Sequence, residues 1–456
     1  MSFSKTGHIL ASAGAAIGVA NLVIFPYRVQ FFGSGAYVLA FVGFTLLMGI
    51  PLMVLENALG KRSQTDAINA FRGEGDAPAW AWIGRLGILT AIMVASFYLV
   101  LAGWTLDYIW QYSTDYSSLV NTPAGPAFGA AVGTSGRALL FTGIFTALAA
   151  FISSRKLHAG VELLSKWAMP LLGLLVIFLI ISLPVLRPEA VDYRNLFRFD
   201  WAALFTPTPA GELGILHALG QAFFSLGLGA ASMLTFATHL DRKEKVLKQA
   251  PTIVHLDTIV ALLGALLVVP LLGNIQGDIY NGPPLVFINL VEIFKSYGAA
   301  GQLVGLSFFI LLGIAIMTSA VSLIEPGLRA VTTQLGYRRS WAGLALGGLI
   351  FVLSIPVVLS CANDGPEWLT NFAGMGPGMG YFNFLLEWFG SIALLFGTLL
   401  LCVYLLRRWK LAGFFAELEI GGHQVSPAWR QWLGIAYRFV IPIGISILLL
   451  AKLIVL

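Results

Sequence analysis

Charge is what this chain has least of: Asp, Glu, Lys and Arg together make up 11% of its 456 residues, and the mean hydropathy is +0.84. A water-soluble domain of this length cannot cover its surface with so few charges, so a soluble globular fold is excluded. Cysteine is nearly absent too. Cys361 and Cys402 fall in different apolar stretches, which leaves neither a disulfide framework nor a thiolate metal site. The six histidines (8, 158, 217, 239, 255 and 423) show no metal-ligand spacing, and no base stands beside a plausible nucleophile, so an enzyme is not expected. The net charge of +5 is divided among separate loops and is no nucleic-acid footprint.

What is abundant is apolar length. Eleven stretches free of charge are long enough to cross a bilayer or most of one: 6–27, 29–55, 86–106, 138–154, 167–186, 213–240, 258–277, 296–324, 340–363, 388–406 and 439–451. A spanning helix needs roughly 20 apolar residues, and the shorter runs borrow flanks whose charges snorkel. The run 279–291 carries Asn281-Gly282-Pro283-Pro284 and reads as part of a re-entrant loop. We therefore expect an all-α, multi-pass protein of the cell's inner (plasma) membrane with eleven transmembrane helices and no cleavable signal before the first. Basic residues collect in alternate loops: Lys61/Arg62/Arg72/Arg85, Arg155/Lys156, Arg242/Lys243/Lys245/Lys248, Arg329/Arg338/Arg339 and Arg407/Arg408/Lys410. The positive-inside rule then puts the N-terminus in the cytoplasm and, after eleven spans, the C-terminus outside.

Two spans carry small residues and polar groups at their midpoints. The first has Gly14-Ala15-Ala16-Ile17-Gly18-Val19-Ala20-Asn21, and the sixth has Phe223-Phe224-Ser225-Leu226-Gly227-Leu228-Gly229-Ala230. Close helix packing accounts for the glycines alone. Irregular backbone at bilayer depth, tolerated only inside protein or beside a cavity, accounts for the Asn and Ser as well. Interrupted helices in corresponding places of two halves point to a midplane binding site between inverted repeats. The spans divide as five, five and one: a first repeat over 7–186, a second over 214–407 and an eleventh helix over 429–456, all in one transporter domain 1–456. The loop 276–300, with Gly277 and Asp278, reads either as an extracellular lid or as a solvated connector.

These features, taken in order, resemble the neurotransmitter:sodium symporter family, whose architecture is the LeuT fold. The resemblance rests on Gly14 to Pro26, on Gly49-Ile50-Pro51-Leu52-Met53 with Glu56 and Gly60, and on Tyr98 with Trp104. It continues through Lys166-Trp167-Ala168-Met169-Pro170, Gly220-Gln221-Ala222-Phe223-Phe224-Ser225-Leu226, and Thr318-Ser319 with Glu325-Pro326. It covers nearly the whole chain, as the eleven-helix bacterial variant.

The resemblance implies a sodium-coupled symporter working by alternating access, with two sodium sites. Na1 would use the Ala16 backbone with Asn21, Ser225 and Asp257; Na2 would use carbonyls of Gly14, Ile17 and Ala315 with the hydroxyls of Thr318 and Ser319. Sodium is hard and takes such oxygens. Thr318 and Ser319 also fit hydroxyls bonded back to their own helix, and Asp257, opening an apolar run, also fits a snorkelling helix-end carboxylate. Ala261 stands where a chloride or acidic ligand is usual, so no chloride is expected. The substrate implied is a small molecule, an amino acid. Its carboxylate would meet Na1, the Val19 and Ala20 amides and Tyr98, unless Tyr98 is an interfacial tyrosine; its ammonium would meet carbonyls of Ala16, Phe224 and Ser225. Gly18 stands where monoamine carriers place an Asp. Val94, Gly227, Ala230, Ser319 and Leu323, under Phe224, would hold a bulky apolar or aromatic side chain; Ala15 replaces the usual pocket-facing Asn. The alternatives are taurine, a β-amino acid, or a non-transporting amino-acid sensor on the same fold. The lipid bilayer and the substrate are the expected partners, without nucleic acid, the chain being a monomer or weak homodimer.

Both usual gate pairs are missing. Ile24 and Asn383 stand at the outer pair, where Arg28 with Glu387 or Asp107 is the candidate replacement, snorkelling being the other reading of Arg28. Thr333 stands at the inner one. His255, Glu56 and Glu325 are candidates for proton counter-flow.

Overall fold

The computed structural model describes residues 3–73, 77–208, 211–273, 275, 278–375 and 379–455; Gly277 and Leu456 lie outside them. Among the described residues there is helix and no strand, only one isolated bridge between Ser34 and Phe199. Among the described residues nine helices are long and apolar enough to cross a bilayer: Gly35–Ser63, Ala81–Thr114, Ser135–Ser154, His158–Leu186, Val246–Leu272, Ala299–Gln334, Arg339–Cys361, Gly380–Leu418 and Pro427–Ile454. The pair Lys5–Ala16 and Ala20–Phe31, bent by 52°, makes a tenth. The sixth segment is cut into Gly214–Ser225 and Ser232–Ala237, each too short to qualify. The expected eleven thus depends on reading that pair as one interrupted pass.

The apolar stretches locate the helices but misplace several ends. The fifth begins at His158 rather than 167, because a π-turn over His158–Glu162 carries the helix into the basic loop. The seventh begins at Val246 rather than 258, so Asp257 lies inside a helix, fully buried, and the snorkelling reading fails. Within 278–300, the described part of that loop, the chain is no solvated connector. Leu285–Leu290 and Val291–Ser296 are short helices with buried apolar faces, and Phe287 stacks on Phe128 and Phe309 while its carbonyl accepts the Tyr108 hydroxyl at 3.1 Å.

Burial separates scaffold from periphery. The apolar window of Ala299–Gln334 is 78% buried, whereas that of His158–Leu186 is 22% buried, so the former is the central helix and the latter faces outward. Small residues let helices close up at the periphery: a Cβ on Gly347 would stand 2.3 Å from Ala150 Cβ, and one on Gly343 2.8 Å from Ser154 Cα. Two ionic knots hold the end of the molecule that carries the basic loops. Lys61 pairs with Glu417 at 3.4 Å, and Arg242 joins the same carboxylate at 3.0 Å. Glu325 receives both Arg339 terminal nitrogens, at 2.7 and 2.6 Å, and is fully buried.

Removing one partner of a buried pair strands the other charge, at a cost of about 3–5 kcal/mol, while replacing both with apolar residues is close to neutral. Glu325→Ala should therefore lower the midpoint of thermal inactivation in detergent, and Glu325→Leu combined with Arg339→Leu should recover most of the loss. Equal losses in the single and double variants would contradict this.

Candidate functional site

The first segment leaves the α-helix at its small residues. Lys5–Ala16 ends at Ile17 in an extended conformation (φ −72°, ψ 114°), and a π-turn at Ala20–Ile24 leads into Phe25–Phe31, with Pro26 in its first turn. Proline has no N–H to extend a preceding helix, which favours a restart here. In the sixth segment Gly227, Gly229 and Ala231 have φ of +59°, +90° and +59°. Glycine takes such angles freely; Ala231 does so at about 1–2 kcal/mol. The Gly229 N–H is held by the buried Glu56 carboxylate at 2.8 Å, so Glu56 stabilises the break.

Two oxygen clusters gather at these breaks. In the first, the Asn21 amide nitrogen donates to Ser225 Oγ (3.0 Å), Asp257 Oδ1 (2.8 Å) and the Asp257 carbonyl (3.2 Å), and Ser225 Oγ donates to Asp257 Oδ2 (2.6 Å). All three side chains are buried. In the second, Ser319 Oγ lies 3.4, 3.1 and 3.1 Å from the carbonyls of Gly14, Ile17 and Ala315, while Thr318 Oγ1 lies 3.0 Å from Ala315 O. Ser319 thus bonds back to its own helix and also meets the broken one, so both readings of that hydroxyl hold together. The Thr318 hydroxyl bonds only to its own helix, at the carbonyls of Ile314 and Ala315, although its Cβ lies 3.2 Å from where a Cβ on Gly14 would stand. Carbonyls, hydroxyls and one carboxylate form a set for a hard monovalent cation. Among the described residues no group of three His, Cys, Asp or Glu could hold a metal.

Tyr98 stands between the clusters. Its hydroxyl accepts the Val19 N–H at 3.3 Å, and a Cβ on Gly18 would lie 2.4 Å from that hydroxyl and 3.0 Å from Ser319 Oγ. Tyr98 is therefore no interfacial tyrosine, and Gly18 is there because nothing larger fits. Ala15, Val19, Val94 and Leu323 pack in the same apolar cluster as Ile17, and Ala16, the last residue before the break, is buried in a second one. The Ala20 carbonyl accepts the Gln221 amide at 3.0 Å. A Cβ on Gly227 would meet nothing within 4 Å, so there is open space there.

The sequence reading missed one wall. Ala230, Phe224 and Leu323 pack with Ala91 and with Leu394 of the tenth segment. A Cβ on Gly229 would lie 2.3 Å from Leu394 O, one on Gly397 3.0 Å from Gly229 O, and one on Gly390 3.8 Å from the Phe224 ring. The signal was Gly390 and Gly397, two turns apart on one helix face. Gly264 was missed as well: a Cβ there would stand 2.4 Å from Asn21 O, so only glycine lets the seventh helix reach the first cluster.

With 30% identity over 98% of this chain and 98% of the other, and a TM-score of 0.85, the fold matches the crystal structure of MhsT in complex with L-phenylalanine. The sodium:neurotransmitter symporter family profile matches residues 2–121 and 147–456. The chain belongs to the sodium:neurotransmitter symporter family. Among the relatives of this symporter is the uncharacterized sodium-dependent transporter YhdH of Bacillus subtilis, 30% identical over 448 residues (98% of this chain, 96% of that one). Others are a Haemophilus influenzae uncharacterized sodium-dependent transporter, 30% identical over 368 residues (78% and 79%), and the Drosophila mojavensis sodium-dependent nutrient amino acid transporter 1, 22% identical over 421 residues (79% and 64%). The family and its structural neighbour are transporters, not enzymes.

The symporter's gate contacts differ from those expected. Arg28 reaches neither Glu387, which pairs with Lys452 at 2.8 Å, nor Asp107, which holds Arg137 at 2.6 Å. It donates to Gln221 Oε1 at 2.7 Å, being turned toward the sixth segment. At the other end Phe3 is buried edge-on against Phe236, His8 and His239, and Ser4 Oγ donates to Glu162 Oε1 at 2.5 Å. Of the proton candidates, His255 is exposed and bonded to its own helix, Glu325 is paired with Arg339, and Glu56 holds Gly229.

Loss of one hydroxyl ligand worth about 1.4 kcal/mol is a tenfold change in affinity. Ser319→Ala should raise the sodium concentration that half-saturates ligand binding about tenfold, and Gly18→Val should abolish ligand binding without unfolding the protein, both read by equilibrium radioligand binding. Unchanged sodium dependence in Ser319→Ala would remove the second cluster from the account.

Proposed function

We propose that this symporter carries a bulky apolar or aromatic amino acid, coupled to two sodium ions, without chloride, by alternating access. The observation that carries the reading is the convergence of Ser319 on the carbonyls of Gly14, Ile17 and Ala315, across two helices, at the point where the first helix is broken. It supports an Na2 site of those carbonyls with Thr318 and Ser319. The triad of Asn21, Ser225 and Asp257, with the Ala16 backbone, supports Na1. Asp257 supplies there the negative charge that chloride would otherwise bring, and Ala261 offers no ligand for an anion. Each sodium crossing the membrane contributes about 2.3 kcal/mol per 100 mV, so two give a steep concentrating force.

The substrate carboxylate would lie on Na1, the Val19 and Ala20 amides and Tyr98, and the ammonium on the carbonyls of Ala16, Phe224 and Ser225. The space beside Gly227 and the small Ala230 and Ala91 leave room for a ring. The bound ligand of the MhsT crystal structure, L-phenylalanine, supports that size. The broken first and sixth segments correspond as two five-helix repeats, 7–186 and 214–407, with 429–456 as an eleventh helix. The N-terminus is then cytoplasmic in the inner membrane and the C-terminus outside, and the chain acts as a monomer or weak homodimer. Phe3 and Ser4 close the cytoplasmic side in place of the missing inner pair.

The test is a thermal-shift panel of amino acids in sodium and in choline. Ligands that bind the folded state raise its midpoint. Phenylalanine, tyrosine, tryptophan or leucine should do so in sodium only, equally in chloride and gluconate. Ala230→Phe should move the preference to smaller side chains. A shift that ignores sodium, or one that needs chloride, would contradict the reading. Phe3→Ala should increase labelling of a cysteine placed at Ala16 by a cytoplasmic thiol reagent, and unchanged labelling would remove Phe3 from the inner closure.

A further inference from the structure

A groove of about 900 Å³ runs along the outward face of the fifth helix, between it and the helices Ser135–Ser154 and Ala299–Gln334. That is the size of a ligand site, and although Ile314 and Met317 on its wall neighbour Ala315 and Thr318, its lining is apolar where the clusters are lined by oxygens. Its walls are apolar, built from residues such as Phe151, Trp167, Leu171 and Met317, and the one charged side chain on it is Arg155. The helix forming its rim is the one whose window is only 22% buried, and Trp167 and Leu171 are exposed. In a membrane such a concavity opens onto hydrocarbon. Water has no hydrogen-bond partner in it, and an acyl chain fills it at no cost in polar burial.

The charged end decides which lipid. Arg155 is exposed, with its guanidinium over the Phe151 ring at 4.5 Å, and its carbonyl accepts Arg339 Nε at 2.6 Å. Exposed Lys156 follows it directly, and exposed Arg338 lies beside its Arg339 contact. The carboxylates of the packed elements are already engaged. Glu162 is held by Ser4, His158 and Lys166, and Glu325 by Arg339. Among the described residues no ion pair is formed by Arg155. The mouth is thus an uncompensated positive end on an apolar trough, complementary to one negative headgroup on an apolar tail. We propose that this groove binds an anionic glycerophospholipid, one acyl chain lying along the fifth helix and the phosphate resting on Arg155.

Each basic side chain near the surface favours an anionic headgroup about fivefold. The test uses the full-length protein in nanodiscs of phosphatidylcholine doped with phosphatidylglycerol of the same acyl chains, followed by native mass spectrometry and thermal inactivation. The wild type should retain phosphatidylglycerol over phosphatidylcholine and be stabilised by it. Arg155→Ala should lose about fivefold of that preference while still retaining lipid without regard to headgroup, and Leu171→Trp, which fills the trough, should lose retention of both lipids. Arg85→Ala serves as control, because Arg85 is exposed and stacks on Trp82 at 4.7 Å outside the groove; it should behave as wild type. Equal retention of the two lipids by the wild type would overturn the proposal. So would an Arg155→Ala protein that keeps the preference, or an equal loss in Arg85→Ala, which would mean a diffuse surface charge rather than a site.

Discussion

A peptide carbonyl that leaves a helix inside hydrocarbon must find a partner, and the pairing of the Gly14 and Ile17 carbonyls with Ser319 Oγ is the contact around which this molecule is arranged. That pairing crosses from the first segment to the central, most buried helix. It requires the two to touch, which they do at Gly14 against Thr318 and at Gly18, where the missing side chain leaves room for the Tyr98 and Ser319 hydroxyls. A hydroxyl can serve these carbonyls when no cation is present, and a cation can serve them better. The same few atoms that join the two helices are those proposed above to hold the second sodium.

Charge follows the same economy. Asp257 closes the buried triad with Asn21 and Ser225, and Glu56 holds the Gly229 amide, while Glu325 and Glu417 tie helix ends through Arg339, Lys61 and Arg242. Buried charges are expensive unless paired or ion-bound. Asp257 and Glu56 are met by neutral donors. Of the two, Asp257 is the one gathered with the side-chain oxygens of Asn21 and Ser225 at the break, which supports the first of the proposed sodium sites.

Much of this was legible in the residues. Charge-free length located the helices, and small residues beside Asn21 and Ser225 located both breaks, because hydrocarbon gives a sequence few ways to tolerate such groups. Register against a known family then supplied Ala315, Thr318 and Ser319, which look like ordinary membrane hydroxyls and a small residue on their own. What the residues did not disclose is tertiary. Arg28 turning to Gln221 rather than a carboxylate, Leu394 walling the side-chain space, and Gly264 admitting Asn21 depend on which helices meet, and a one-dimensional pattern holds little of that. The helix starts at His158 and Val246 lie ahead of charged residues within the same helices, and a charge-free window opens only after the last of these, Lys166 and Asp257.

The central claim is that sodium, bound at the oxygen clusters, drives the movement of an amino acid. Reconstituted proteoliposomes with an imposed inward sodium gradient test it most directly, using radiolabelled phenylalanine, with Asp257→Ala alongside the wild type. The account predicts uphill accumulation that rises cooperatively with sodium, survives replacement of chloride by gluconate, and is lost in Asp257→Ala. Uptake of the same size in choline, or sodium-dependent binding of the ligand with no accumulation at all, would contradict it.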